Sequence, residues 1–461
     1  MVTKRWWGAL VLVGTLVACG PGQIAGPDPS TDDSLLNNGT LNNGSPNNGA
    51  PIDDVLLNPD LGASDSDNGG ADLGTPEDTA DPDDPAIDTG QPPPDVAEDA
   101  PIGPPDDPSP CVGLAARVHT TMVDVSPHRP GGAVMLAPTA AGGRIAFEAG
   151  GQVVIASVDH LGARVGGLTT VAAESLHGFV AQDDGRNAVL VRRADTMVLV
   201  GLGADRTAAF ERVIVGGQGS DAVGDKWIDS WPHEGRLALG GGAYAVYFGH
   251  TQLWDSGRHQ GDFLGFFSAD GAPQGGGWGW GCSHSLDVRL VHNGTGWGPV
   301  CLSDCYPDKA ICYNHRTILR PEPSGNCAGD SAAELGGLAS DGAGGFVLTF
   351  ASPEARASSD VGWIHLGSSG QKLAETWLTD AAGAERNPRL AAYGDLGFLA
   401  AWTAAGTTLA VVRADGTIAD GPVTASAPLP PMDFVTHRNG DVGWAWAAGA
   451  QLGLARVGTC H

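Results

Sequence analysis

The chain has 461 residues, with 53 acidic against 25 basic side chains and a net charge of −28. That acid excess excludes a nucleic-acid binder working by phosphate neutralisation, and docking on anionic lipid through a basic patch. The charge is uneven: residues 1–19 carry Lys4 and Arg5 and no acid, 20–110 carry 20 acids and no base, and 111–461 carry 33 acids and 23 bases.

Behind Lys4 and Arg5, Trp6 to Val17 is an apolar run of about a dozen residues. It is too short to span a hydrocarbon core of about 30 Å and reads as the apolar centre of a signal peptide over 1–18. Leu16-Val17-Ala18-Cys19 follows, and it resembles the bacterial lipobox. The resemblance implies cleavage before Cys19, acylation (palmitate among the chains) of its thiol and new amine, and attachment to a membrane through those chains. Several chains on one residue anchor stably where one would be marginal. Gly20 stands where some bacteria use Asp to retain such proteins in the inner membrane, so the resemblance implies an outer-membrane or cell-surface location. The alternative is an ordinary signal peptide followed by an incidental cysteine.

Residues 20–110 hold no aromatic residue and no Cys, but 17 of the 32 prolines, and Asn-Asn-Gly recurs at 37–39, 42–44 and 47–49. Such a segment buries too little apolar surface to offset its ordering entropy, so 19–110 is expected to be a lipidated, disordered linker. A flexible chain of about 90 residues reaches roughly 50 Å, and self-repulsion extends this one further. Asp65-Ser66-Asp67-Asn68-Gly69 has the outline of a calcium loop but lacks the bidentate Glu at loop spacing.

From residue 133 a two-part pattern recurs. Its first part is a Gly-containing turn leading into an apolar run: at Gly142-Gly143, Asp184-Gly185, Gly241-Gly242, Asn293-Gly294, Gly344-Gly345, Gly394-Asp395 and Asn439-Gly440. These seven turns are spaced 42, 57, 52, 51, 50 and 45 residues apart. Its second part is an apolar run closed by a polar-Gly turn, as in Phe263 to Phe267 before Asp270-Gly271 and Leu409 to Val412 before Asp415-Gly416. Two hairpins per unit give four strands, the size of a propeller blade. The prediction for 111–461 is therefore all-β, a seven-bladed β-propeller; a pair of β-sandwiches is the alternative, which would not demand an even period.

The last unit, 431–460, is one strand short, and 114–125 reads as a lone strand. Pairing the two closes the ring and removes an open edge. Cys111 and Cys460 flank that closure and are expected to form a disulfide, which an exported chain permits.

Residues 227–327 depart from the pattern. They hold Cys282, Cys301, Cys305, Cys312 and Cys327, six of the 13 Trp and six of the 13 His. The pairs Cys282–Cys301 and Cys305–Cys327 are favoured, leaving Cys312. Three readings stay open. Disulfides and Trp staple long loops; or Arg258, His259, Asp262, Trp278, Trp280 and His284 form a ligand site, Trp faces stacking on sugar rings and polar groups bonding hydroxyls; or His259, Asp262 and His284 hold a metal, though no short His spacing supports this. No nucleophile elbow or phosphate loop is present, so no catalytic residue, cofactor or metal is assigned, and a carboxylate pair assembled from different blades remains the enzymatic alternative.

The whole chain, with 21 Arg to four Lys, is similar to propeller lipoproteins of high-GC Gram-negative bacteria such as myxobacteria, a resemblance that implies no catalytic residues. The expected function is a monomeric, surface-tethered binding module for an extracellular glycan or protein, with a polysaccharide hydrolase or lyase, or a purely structural envelope protein, as alternatives.

Overall fold

The computed structural model describes residues 112–459 apart from 217–225, 229–233, 255–256, 280–281, 283–284, 304–309, 315, 321–332, 354–355 and 396. Cys19, the linker, Cys111, Cys305, Cys327 and Cys460 thus lie outside the described residues, as do Trp280 and His284. Among the described residues no helix is long and apolar enough to cross a membrane.

The described chain forms seven antiparallel sheets. We number the blades by their first strands: Val134–Thr139, Ser175–Ala181, Gly235–Gly240, Ser285–His292, Glu334–Ser340, Arg386–Tyr393 and Val435–Thr436. Each of the seven sequence turns joins the first strand of a blade to its second, and the polar-Gly turns join third to fourth. The Gly residues are needed there: in the Ser268–Ala272 turn Gly271 has φ +80°, and in the Arg413–Thr417 turn Gly416 has φ +84°, a conformation costly for residues with a Cβ.

Both faces of the inner sheets are covered, so strands read as apolar runs rather than alternations. Phe346–Ser352 is buried at every position, and the outermost strand Arg164–Ala172 is largely exposed. Among the described residues, seven apolar clusters form the core, one at each blade-to-blade contact. The cluster of Val123, Val134, Phe147 and Leu452 joins blade 7 to blade 1, so the ring is closed. Near the axis, glycines let blades approach: a Cβ on Gly337 would stand 2.2 Å from the Leu390 nitrogen, and one on Gly178 2.4 Å from the Leu237 Cβ.

The closing strand is the predicted one. Val118–Asp124 pairs antiparallel with Gln451–Val457 over seven residues. A short 3₁₀ helix, Leu114–Arg117, precedes it. Its Arg117 donates to the Tyr393 hydroxyl of blade 6 at 2.9 Å and pairs with Asp420, while the Gly458 nitrogen donates to the Arg117 carbonyl at 3.1 Å. The two ends of the propeller chain are tied to each other and to a neighbouring blade.

Blade 3 is the irregular one. Its second and third strands, Ala243–Trp254 and Gly257–Ser268, are 12 residues each. Six register pairs, Gly249 with Asp262 through Trp254 with Gly257, continue past the end of the first strand, an arm of about 20 Å at strand rise. The short strand Lys226–Trp227 pairs with Gln252 and Thr251 on this arm.

Candidate functional site

Every blade begins at the axis, so all first strands start at the same end of the ring. The second-to-third-strand turns and the ends of the fourth strands lie at that end too. The blade 3 arm and Trp278, which closes the strand Pro273–Trp278, are therefore at one end, with the mouth of the central channel between the first strands.

At the edge between blades 3 and 4, the arm is packed rather than free. His250 and Thr251 are fully buried and Gln252 nearly so. The His250 Nε2 meets the Gly279 carbonyl at 2.9 Å, and burial lowers the His250 pKa. Asp262 is also fully buried. The Tyr247 hydroxyl donates to its Oδ2 at 2.5 Å and the Cys282 nitrogen to its Oδ1 at 2.6 Å. Tyr247 is pushed well above its usual pKa by burial and by the Asp262 charge.

Trp278 packs edge-on against Tyr247, ring centres 5.6 Å apart, and its Nε1 donates to Asn314 Oδ1 of blade 4 at 2.9 Å. Cys282 is joined to Cys301 with Cα atoms 6.4 Å apart, which bolts the connection between blades 3 and 4 onto the second strand of blade 4. This is the predicted pair. Cys312 keeps a buried free thiol, in register opposite Cys301, and burial raises its pKa. The sulfurs of Cys282, Cys301 and Cys312 all lie within 4.8 Å of one another, but two are consumed by the disulfide. His259 is half-buried and in register with Gln252, and Arg258 is in register with Leu253.

Of the six residues singled out from sequence, the structure thus brings Asp262 and Trp278 together through Tyr247. Both are engaged with protein groups, Asp262 completely below the surface. The binding role expected of Asp262 and the metal role expected of His259, Asp262 and His284 both require that carboxylate, whose oxygens hold blade 3 to the Cys282 connection.

The sequence reading missed the channel mouth. Arg236, Arg289 and Arg389, from the first strands of blades 3, 4 and 6, are all buried there. Arg236 Nε pairs with Asp433 Oδ2 at 2.6 Å and Arg289 Nε with Asp433 Oδ1 at 3.3 Å. Arg289 Nη1 meets Glu234 at 3.0 Å, and it also pairs with Asp287. Asp433 rides on the connection from blade 6 to blade 7, and Arg389 holds that connection through the carbonyls of Pro430, Pro431 and Met432 at 3.2, 2.9 and 3.1 Å.

The three acids differ. Burial opposes ionisation of Asp433, but Arg236 and Arg289 outweigh it and hold the carboxyl below its usual range. Burial opposes ionisation of Glu234 as well, and Arg236, a hydrogen bond from Asp287 and Arg289 keep it well below. Asp287 is driven well above its usual range by burial, with Arg289 opposing and the Glu234 charge adding. A sequence signal did exist. Glu234-Gly235-Arg236 and Asp287-Val288-Arg289 are both acid-x-Arg, a spacing that puts the two charges on one face of a strand, at the same repeat position.

At the opposite end of the ring, a cleft of about 400 Å³ is lined by Gly394, Asp395, Thr436, His437, Arg438 and Asn439. It is formed by first-to-second-strand turns.

No family model matches the chain, and no curated protein sequence matches it. Solved structures do. The WD40 domain of Neurospora crassa Pan2 aligns at 9% identity over 74% of this chain and 96% of that one, TM-score 0.43. The RRP9 WD40 repeats align at 9% over 75% and 98%, TM-score 0.42, and a calcium structure of the Trichoderma reesei AA12 carbohydrate-active enzyme at 11% over 75% and 97%, TM-score 0.37. At such identities and scores, nothing about ligands or partners passes from them to this chain.

Proposed function

We propose that the chain is a lipid-anchored binding module of the outer membrane or cell surface, monomeric, whose propeller presents the mouth end to an extracellular glycan. One observation carries the reading: the mouth end collects the chemically rich groups of the ring, the three-arginine cluster with its acids and the Trp278 edge. Rigid repeats hold such groups in fixed positions. The lipobox at Cys19 and the acidic linker supply the anchor and the spacer in this reading.

The enzymatic alternative has one point in its favour, a carboxyl pair with pKa values pushed apart. Glu234 and Asp287 are hydrogen-bonded to each other, however, and a retaining glycosidase needs about 5–5.5 Å between carboxyls and an inverting one more. A glycosidic bond does not fit between them.

Two experiments test the proposal. Cys19→Ser should move the protein from the membrane to the soluble fraction and abolish incorporation of labelled acyl chains; retention of both contradicts the anchor. A glycan array, run beside turnover assays on the same polysaccharides, should give binding without products. Turnover that disappears in Glu234→Gln or Asp287→Asn overturns the binding-module reading, and hits confined to proteins replace the glycan with a protein partner.

A further inference from the structure

The mouth cluster has an internal occupant. Arg236 and Arg289 form a cradle in which the Asp433 carboxylate sits, 31% exposed, while the two guanidinium side chains are 7% and 2% exposed. Arg236 engages it with two nitrogens, Nε at 2.6 Å and Nη2 at 3.3 Å, the forked geometry by which guanidinium recognises carboxylate. The acid is therefore the part of the cradle nearest to solvent, and the arginines are its floor.

The segment that delivers Asp433 is pinned on both sides of it. Arg389 holds the carbonyls of Pro430 to Met432. Trp444 Nε1 donates to the Pro428 carbonyl at 2.9 Å, and Phe434 stacks on Trp444 at 4.5 Å. Removing Asp433 from the cradle thus needs rotation of one side chain, not movement of the connection.

Arg236, Arg289 and Arg389 face the carboxyls of Asp433, Glu234 and Asp287, and Arg236 and Arg289 outweigh burial to hold Asp433 below its usual range. Beside the cradle, the Glu234 and Asp287 carboxyls, both paired with Arg289, offer oxygens that a ligand hydroxyl can bond. Glu234 is 35% and Asp287 20% exposed.

We infer that the channel mouth binds a hydroxycarboxylic acid such as the uronate unit of an acidic glycan: its carboxylate replaces the Asp433 side chain on Arg236 and Arg289, and its neighbouring hydroxyls bond the Glu234–Asp287 pair. The inference rests on the binding-module reading and names the ligand class. Asp433 acts as a built-in competitor that keeps the empty cradle neutralised.

Isothermal calorimetry on the full chain tests it, with sodium D-glucuronate as the probe, D-glucose as the same ring without the acid, and glutarate as an acid without hydroxyls. Glucuronate should bind saturably, glucose should not, and glutarate should bind more weakly than glucuronate. Asp433→Asn should bind glucuronate at least about tenfold tighter, since the internal competitor is gone. Should that variant fail to fold, Arg236→Lys keeps the charge but loses the fork, and its affinity should fall by about tenfold. No saturable glucuronate binding, or an affinity that neither substitution changes, overturns the inference. Array binding to neutral glycans without glucuronate binding overturns the cradle and leaves the binding-module reading standing. An empty array together with no glucuronate binding overturns both.

Discussion

Asp262→Ala is the substitution whose cost follows most directly from the structure. Asp262 is fully buried, and its neighbours Tyr247 and Cys282 are 1% and 2% exposed. Truncation strands at least two buried donors, the Tyr247 hydroxyl and the Cys282 nitrogen. Each stranded donor costs about 1–3 kcal/mol. Relief from burying a carboxylate offsets part of this, which leaves a net loss of about 3 kcal/mol. Such a loss is a large share of the roughly 5–15 kcal/mol that holds a domain folded. Asp262→Asn keeps an acceptor oxygen and should lose about half as much. Urea unfolding followed by Trp fluorescence measures both. Ala should be worse than Asn, and a Tyr247→Phe/Asp262→Ala cycle should show coupling of about 1 kcal/mol or more. Wild-type midpoints for both single variants would refute the reasoning and return Asp262 to the surface-ligand role.

Three further outcomes are expected. Cys282→Ser/Cys301→Ser should cost about 3 kcal/mol, the chain-entropy value for a loop of this length, given a separation of 19 residues; reductant should produce the same drop in the wild type and none in the variant. Removing residues 1–125 should give an insoluble product, because Gln451–Val457 loses its partner strand and becomes an open edge, whereas removing 1–110, which keeps Cys111, should leave the melting temperature unchanged. Burial, helped by Arg456, lowers the His437 pKa to about 4. Because the folded value lies below the unfolded one of about 6.5, stability is full above pH 6.5 and falls as pH drops towards 4, by an order of 3 kcal/mol; His437→Gln should flatten that window in pH-dependent melting.

The ring was legible because its signals are local. Asn293-Gly294 and Asn439-Gly440 mark hairpins from two adjacent residues, and the even spacing of seven such turns counts the blades. The closing strand followed from a missing strand at 431–460 and a spare one at 114–125. The site was less legible because its contacts are not local. Arg236 and Asp433 are 197 residues apart, and only closure of the ring brings them across the mouth. Asp262 drew attention as a polar residue in a Gly-flanked segment, yet its partner Tyr247 lies 15 residues back on the neighbouring strand. Period-two alternation could not reveal that both strand faces there are covered. The Cys282–Cys301 pair was readable because those two cysteines flank one strand of the irregular blades.

Hydrogen–deuterium exchange on the full chain, with and without the polysaccharide that the glycan array selects, tests the central claim most directly. If the mouth end is the binding face, bound glycan will slow exchange at 234–240, 285–292 and 425–435 and leave the first-to-second-strand turns unchanged. Protection confined to the opposite end, around Gly394 and Asn439, would contradict it.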